Sequence, residues 1–310
     1  MTHTESWKPL AWNGVSVRVP MGWDPAELHA YALRASGDEG PALDLKWHRV
    51  GDRFAPEQRL DRLGKELGSG SIVDVTPQAL PRGWSQVAPT LAEHGLETLP
   101  YSWHTATGAH GAGAVIFNPG TGIAALARFE FRQPQASADA DTALTILETY
   151  RDHGTEALVP WAAFGIRALV PGSLELRSFS FTPGHFRLSF AGGKAHSACE
   201  LVLDRLGPAD VLLGRKTLAQ YADVFYGAMG TLPGFFDEAE DGPDMARGEL
   251  MAPAPLMARL LGRSCFPARQ GRMWRAGIGA ILLGAFIRAR RAKSLEPFAA
   301  ICDAYTLART

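Results

Sequence analysis

The stretch Trp12-Asn13-Gly14-Val15-Ser16-Val17-Arg18-Val19-Pro20 decides how this chain is read, because its outline returns. Trp161-Ala162-Ala163-Phe164-Gly165-Ile166-Arg167-Ala168-Leu169-Val170-Pro171 again gives a tryptophan, a glycine, an apolar run and a closing proline. The two glycines lie about 151 positions apart, and the segments that end in Tyr150 and Tyr305 lie about 155 apart. Val15, Val17 and Val19 alternate with Ser16 and Arg18, the period of a half-buried strand. Pro20 ends it, since proline has no N–H for the next rung.

Working outward, each half predicts the same succession. In the first, Trp23 and Leu28 are apolar anchors, residues 31–34 and 43–47 read as strands, and residues 56–67 read as a helix. Pro56 suits its first turn, Leu60, Leu63 and Leu67 line one face, and Gly68 ends it. A hairpin over 101–107 and 113–117 follows, then a strand over 123–131. Asp139 or Asp141 caps a helix carrying Leu144, Leu147 and Tyr150. In the second half, 166–170, 178–182, 185–190 and 200–204 read as strands and 217–228 as a helix. Residues 272–288 are strand-rich, and Ser294 caps a last helix that turns Phe298, Ile301, Cys302 and Tyr305 to the core. The expected architecture is α+β, with two related domains at 1–154 and 155–310, each an antiparallel sheet packed by helices, the product of internal duplication.

The chain has 310 residues, enough for two cores, and a formal net charge of −1. No whole-chain field argues for nucleic acid or a membrane surface. Cys199, Cys265 and Cys302 are few, odd in number and far apart, which fits a reducing compartment. The first residues lack a basic stretch followed by an apolar one, and the most apolar run, 278–287, is too short for a membrane helix and reads as a strand. The expected location is the cytoplasm.

A strand ending in Val-Pro, an apolar anchor, further strands, a helix, more strands and a C-terminal helix resemble the Mog1/PsbP-like α+β fold. Val15 to Trp23 carry the resemblance in the first half. In the second only Ile166 to Pro171 match, with Ser173 standing where Trp23 would be. The resemblance implies an antiparallel sheet flanked by helices and a largely non-catalytic role in binding or stabilising assemblies.

No residue pattern calls for a cofactor. Gly108-Ala109-His110-Gly111-Ala112-Gly113 is not followed by a helix, and Gly192-Gly193-Lys194 lacks the rest of a phosphate loop. His104 and His110 are the metal-ligand candidates, with His94 near in sequence, but Gly108 and Gly111 bracket a turn between them. His196 and Cys199 pair an imidazole with a thiol. Leu232-Pro233-Gly234-Phe235-Phe236 leads into Asp237, Glu238, Glu240, Asp241 and Asp244, an apolar-acidic loop without calcium-loop spacing.

From Arg259 on, ten basic residues stand against Glu296 and Asp303. They include Arg269, Arg272, Arg275, Arg288, Arg290 and Arg291, and arginine has the fork suited to carboxylate or phosphate. Trp274 is a lone candidate for stacking on a base, so a protein partner is favoured over nucleic acid. The leading expectation is a non-catalytic accessory or assembly protein. It would use the arginine-rich surface with Phe235, Phe236, Asp237 and Glu238. A small-molecule binder with an apolar pocket and an enzyme with a His/Cys site are the alternatives.

Overall fold

Two hairpins of the same geometry set the frame. Strand β1 (Trp7–Trp12) turns through Asn13 and Gly14 into β2 (Val15–Pro20), and β11 (Leu158–Ala163) turns through Phe164 and Gly165 into β12 (Ile166–Pro171). Both central residues are left-handed in each turn, with φ of 43° and 93° in the first and 50° and 75° in the second. Such turns match the twist of paired strands, and glycine adopts them without steric cost. In β2 the three valines are buried and Arg18 is exposed. Equivalent turn positions align Trp161 with Leu10, and Ala163 with Trp12, so the two tryptophans are not counterparts. Counting from the prolines places Leu174, not Ser173, at the position of Trp23.

The structure, a computed structural model, describes residues 7–38, 40–50, 54–58, 60, 74–76, 79–132, 137–194, 198–231, 233–239, 244–251, 266–277 and 280–308. The chain divides into two compact units. One spans Met1–Glu156 and takes in Ala162–Phe164; the other spans Ala157–Trp161 and Gly165–Arg309.

The first unit contains β3 (Asp24–His29), β4 (Ala32–Ser36), β5 (Ala42–Arg49), β6 (Asp74–Thr76), β7 (Glu97–His104), β8 (His110–Asn118) and β9 (Ile123–Phe131). They form one antiparallel sheet in the order β3-β4-β5-β9-β8-β7-β6. Helices α1 (Val87–Ala92) and α2 (Ser137–Glu148) and the strand β10 (Arg151–Asp152) complete it. Trp84 is fully buried beside α1; its indole donates to the Ala140 carbonyl at 3.2 Å and meets Phe129 edge-on. Residues 56–58 and 60 are helical, and the rest of the helix expected at 56–67 lies outside the described residues, apart from these. Asp139 is not a helix cap. It lies inside α2, and its carboxylate accepts the Arg132 backbone N–H at 2.8 Å.

The second unit contains β13 (Leu174–Thr182), β14 (His185–Gly192), β15 (Cys199–Leu206), β16 (Asp237–Glu238), β17 (Met245–Met251), β18 (Ala268–Ala276) and β19 (Ile281–Ala289). Their order is β13-β14-β15-β19-β18-β17-β16, again antiparallel, the same path as in the first unit. Helices α3 (Ala209–Leu213), α4 (Leu218–Tyr226) and α5 (Phe298–Ala304) and the strand β20 (Thr306–Leu307) accompany it. Residue 294 does not cap α5. Pro297 precedes that helix, and Ser294 sits in a separate 3-10 turn. The α+β expectation therefore holds in its coarse form, antiparallel sheets with a few helices. Strands β1, β3, β6, β10, β11, β16, β17 and β20 were not foreseen; β3, β16 and β17 have no clean alternation, and β6, β10 and β20 are only two or three residues long.

Both units close alike. Tyr150 follows α2, Tyr305 follows α5, and each is 1% exposed with its phenol pushed up by burial. β10 then pairs with β2, Arg151 opposite Ser16, and β20 pairs with β12, Thr306 opposite Arg167. The next rung is matched too: His153 N–H donates to Gly14 O and Ala308 N–H to Gly165 O, each at 2.8 Å.

Nothing lies within 4 Å of a Cβ built on Gly14, so a substitution there tests the backbone alone. Gly14→Ala is expected to lower stability by about 1–2 kcal/mol, the cost of a left-handed residue with a Cβ, measured by urea denaturation.

Candidate functional site

The apolar-acidic loop is built from α4. Thr217 and Gln220 form a reciprocal cap at its start: Gln220 N–H donates to Thr217 Oγ1 at 3.3 Å, and Thr217 N–H to Gln220 Oε1 at 3.1 Å. In its last turn the Asp223 carboxylate collects three backbone N–H groups, from Gly234 at 2.6 Å, Phe235 at 3.1 Å and Phe236 at 3.0 Å. This clamp fixes the two phenylalanines in opposite roles. Phe236 is 3% exposed and stacks on Tyr226, so it belongs to the core. Phe235 is half-buried and meets it edge-on at 4.9 Å.

Phe235 opens a groove of about 1010 Å³ at the β16–β17 edge of the second unit's sheet. Asp237, Glu238, Arg247, Glu249, Leu250, Arg272, Phe298, Cys302 and Asp303 also line it. Asp237, Arg247 and Arg272 are successive cross-strand partners, so they stand in one row on the face that α5 covers. Arg272 donates to Asp303 on α5 at 2.9 Å, and Gln270 to Glu249 at 3.1 Å. Four carboxylates and two arginines line the groove, an acidic balance.

Four of the residues singled out from the sequence thus meet here: Phe235, Asp237, Glu238 and Arg272. The other arginines do not join them. Arg288 pairs with Glu200 at 2.6 Å, Arg275 with Asp210 at 2.9 Å and Asp244 at 3.4 Å, and Arg269 donates to the Phe266 and Gly230 carbonyls. Arg290 is half-buried at the end of β19, and Arg291 is exposed. Glu240, Asp241, Arg259 and Arg263 lie outside the described residues.

Beneath α4 lies a charge that sequence reasoning missed. Asp204 has no exposed surface. It accepts from His185 Nε2 at 2.7 Å, Arg187 Nε at 2.6 Å and Nη2 at 3.2 Å, and the Tyr226 hydroxyl at 3.1 Å. Burial pushes the Arg187 guanidinium down, but Asp204 more than offsets this and leaves it raised. The Tyr226 phenol is pushed well up by burial and then by Asp204, so it remains a donor. Across the ladder stands Gly284, where a Cβ would lie 2.5 Å from the Tyr226 hydroxyl. The signal was an acid at the end of the apolar run Leu201-Val202-Leu203. In the first unit, Arg34, Asp44 and Arg128 occupy the same three sheet positions as Arg187, Asp204 and Gly284, and Arg128 donates to Asp44 at 3.1 Å.

The remaining candidates separate. His104 and His110 are direct partners across the β7–β8 hairpin, so the turn brings them face to face. No group of three or more metal-ligating side chains occurs among the described residues. His110 packs edge-on against Phe131. Cys199 and Cys302 are buried, and burial pushes their thiols up to about 11 and about 12. His196 and Cys265 lie outside the described residues. No helix among the described residues is long and apolar enough to cross a membrane.

Two outcomes are expected. Asp204→Ala leaves Arg187 without its counter-charge and costs about 3–5 kcal/mol in chemical denaturation. In peptide-resolved labelling at about pH 8, Cys199 and Cys302 react with iodoacetamide only after unfolding, because the thiolate is the nucleophile.

No protein-family profile matches the chain, and no curated protein does. Among solved structures, the solution structure of cyanobacterial PsbP (CyanoP) from Synechocystis sp. PCC 6803 matches 49% of this chain over 96% of its own, with 9% identity and a TM-score of 0.33. The di-domain ARO/CYC StfQ from the steffimycin biosynthetic pathway matches 93% of this chain over 78% of its own, with 11% identity and a TM-score of 0.14. The first is a weak fold resemblance, and neither bears on function.

Proposed function

We propose that the protein is an accessory or assembly protein of the cytoplasm that takes a cationic, extended segment of a partner protein into the acidic groove of its second unit. One observation carries this. Asp237 and Glu238 are exposed and make no ion pair with a described residue, at a sheet edge where β16 covers only Ala246 and Arg247 of β17. From Gly248 to Met251 the outer side of β17 has no strand partner among the described residues, and Leu250 and Met251 are exposed there. An added strand would gain main-chain bonds from that edge and specificity from the flanking carboxylates and Phe235. The neutralisation of Arg272, Arg275 and Arg288 by carboxylates speaks against a nucleic-acid surface.

The two units are proposed to be copies of one ancestral α+β unit, one per half of the chain. Support comes from the shared strand order, the matched turns, the matched closing rungs and an arginine opposite an aspartate at equivalent sheet positions, Arg34 with Asp44 and Arg187 with Asp204.

With a photo-crosslinking residue in place of Leu250, the wild-type background is expected to capture one stoichiometric partner through a Lys- or Arg-rich segment. Asp237→Lys combined with Glu238→Lys releases it while the thermal midpoint stays the same. Capture that survives the charge reversal sinks the reading.

A further inference from the structure

The matched closing rungs differ in one respect that concerns chemistry. Where the second unit has Arg167 and Ala308, the first has Ser16 and His153. Ser16 Oγ lies 2.8 Å from His153 Nε2, and His153 Nδ1 lies 2.8 Å from Glu156 Oε1. With its proton on Nδ1, His153 donates to the Glu156 carboxylate and accepts from the Ser16 hydroxyl. A hydroxyl, a base touching it and a carboxylate orienting that base are the parts of an activated nucleophile, recognised by geometry rather than by chain order.

The fold holds the three in place. Ser16 is pinned in β2 between β1 and β10, His153 by its own N–H on Gly14 O, and Glu156 by its N–H on the His153 carbonyl. All three belong to one unit. Ser16 and the His153 ring keep partial exposure, on the outward side of a strand whose valines face the core. Arg151 is directly opposite Ser16 on the ladder, and Arg18 is two residues along the same face. Their guanidiniums donate to backbone carbonyls, Arg18 to Trp7 and Arg151 to Glu148 and Tyr150, and give this face a positive charge.

We propose that Ser16, His153 and Glu156 form an acyl-transfer centre that hydrolyses small carboxylic esters. Ser16 Oγ attacks the ester carbonyl and passes its proton to His153 Nε2. The carbon–alkoxy bond breaks, and the leaving alkoxide takes that proton. A water then gives a proton to Nε2 and attacks the acyl carbon. The acyl–Oγ bond breaks, the proton returns to Oγ, and acid and alcohol leave. Ser16 is the nucleophile, His153 the base and Glu156 a positioning residue.

The test is fluorophosphonate labelling of the full chain with peptide mass mapping, beside p-nitrophenyl acetate turnover. The expected result is an adduct on Ser16, lost in Ser16→Ala and in urea. His153→Gln slows labelling about 100-fold or more, the size of a general-base contribution. Glu156→Gln, at an exposed position that leaves the core untouched, slows it by a smaller factor. Absence of an adduct on Ser16 overturns the proposal. So does labelling that persists in urea, or an unchanged rate in folded His153→Gln or Glu156→Gln protein.

Discussion

A carboxylate without water must be surrounded by donors, and Asp204 shows how much of a fold that requirement can organise. It receives four hydrogen bonds from three side chains on β14 and α4. One of those bonds ties the end of α4 to the sheet, because Tyr226 is the last residue of that helix. One turn back on the same helix, Asp223 gathers the backbone of the loop that follows. The groove and its acidic rim are thus the far end of a chain of contacts that begins at one buried charge. Replacing such a charge cluster with apolar residues is often tolerated in proteins, so its worth here lies in direction as much as in stability.

The first unit places the same pair differently. Asp44 is 23% exposed, and it shares its charge with Arg128 and, at 3.7 Å, with Lys46. Water does part of the work there that Tyr226 does in the second unit. One arrangement of strands therefore supports either a solvated ion pair or a dry one. The residue across the ladder goes with the difference: arginine at 128, glycine at 284.

The frame was legible in the sequence because it depends on local rules. Alternation of Val15, Val17 and Val19 and the stop at Pro20 each act within a few residues. The site was legible only in part. Phe235, Asp237 and Glu238 stood out as a contiguous segment. Phe236 looked identical to its neighbour, and only packing against Tyr226 separates them. The arginine stripe misled for a related reason. Arg275 and Arg288 each bond a carboxylate far away in sequence, 65 and 88 residues off, which linear charge counting over the C-terminal stretch does not see. Asp204 meets Arg187 and Tyr226 at separations of 17 and 22 residues, and Ser16 meets His153 across 137. Constellations of this kind are made by topology, and nothing in their spacing marks them.

The two hairpin turns also differ in how they come into being. Asparagine followed by glycine visits left-handed conformations readily in an unfolded chain, so the turn at Asn13-Gly14 forms transiently before any core exists. Phenylalanine at the matching position pays a penalty for φ of 50° that only completed packing can repay. The first hairpin can therefore close on the microsecond scale of isolated hairpins, while the second waits for its surroundings. Two segments of nearly the same final shape would then enter the folding sequence at different times, the earlier one as a nucleus and the later one as a consequence.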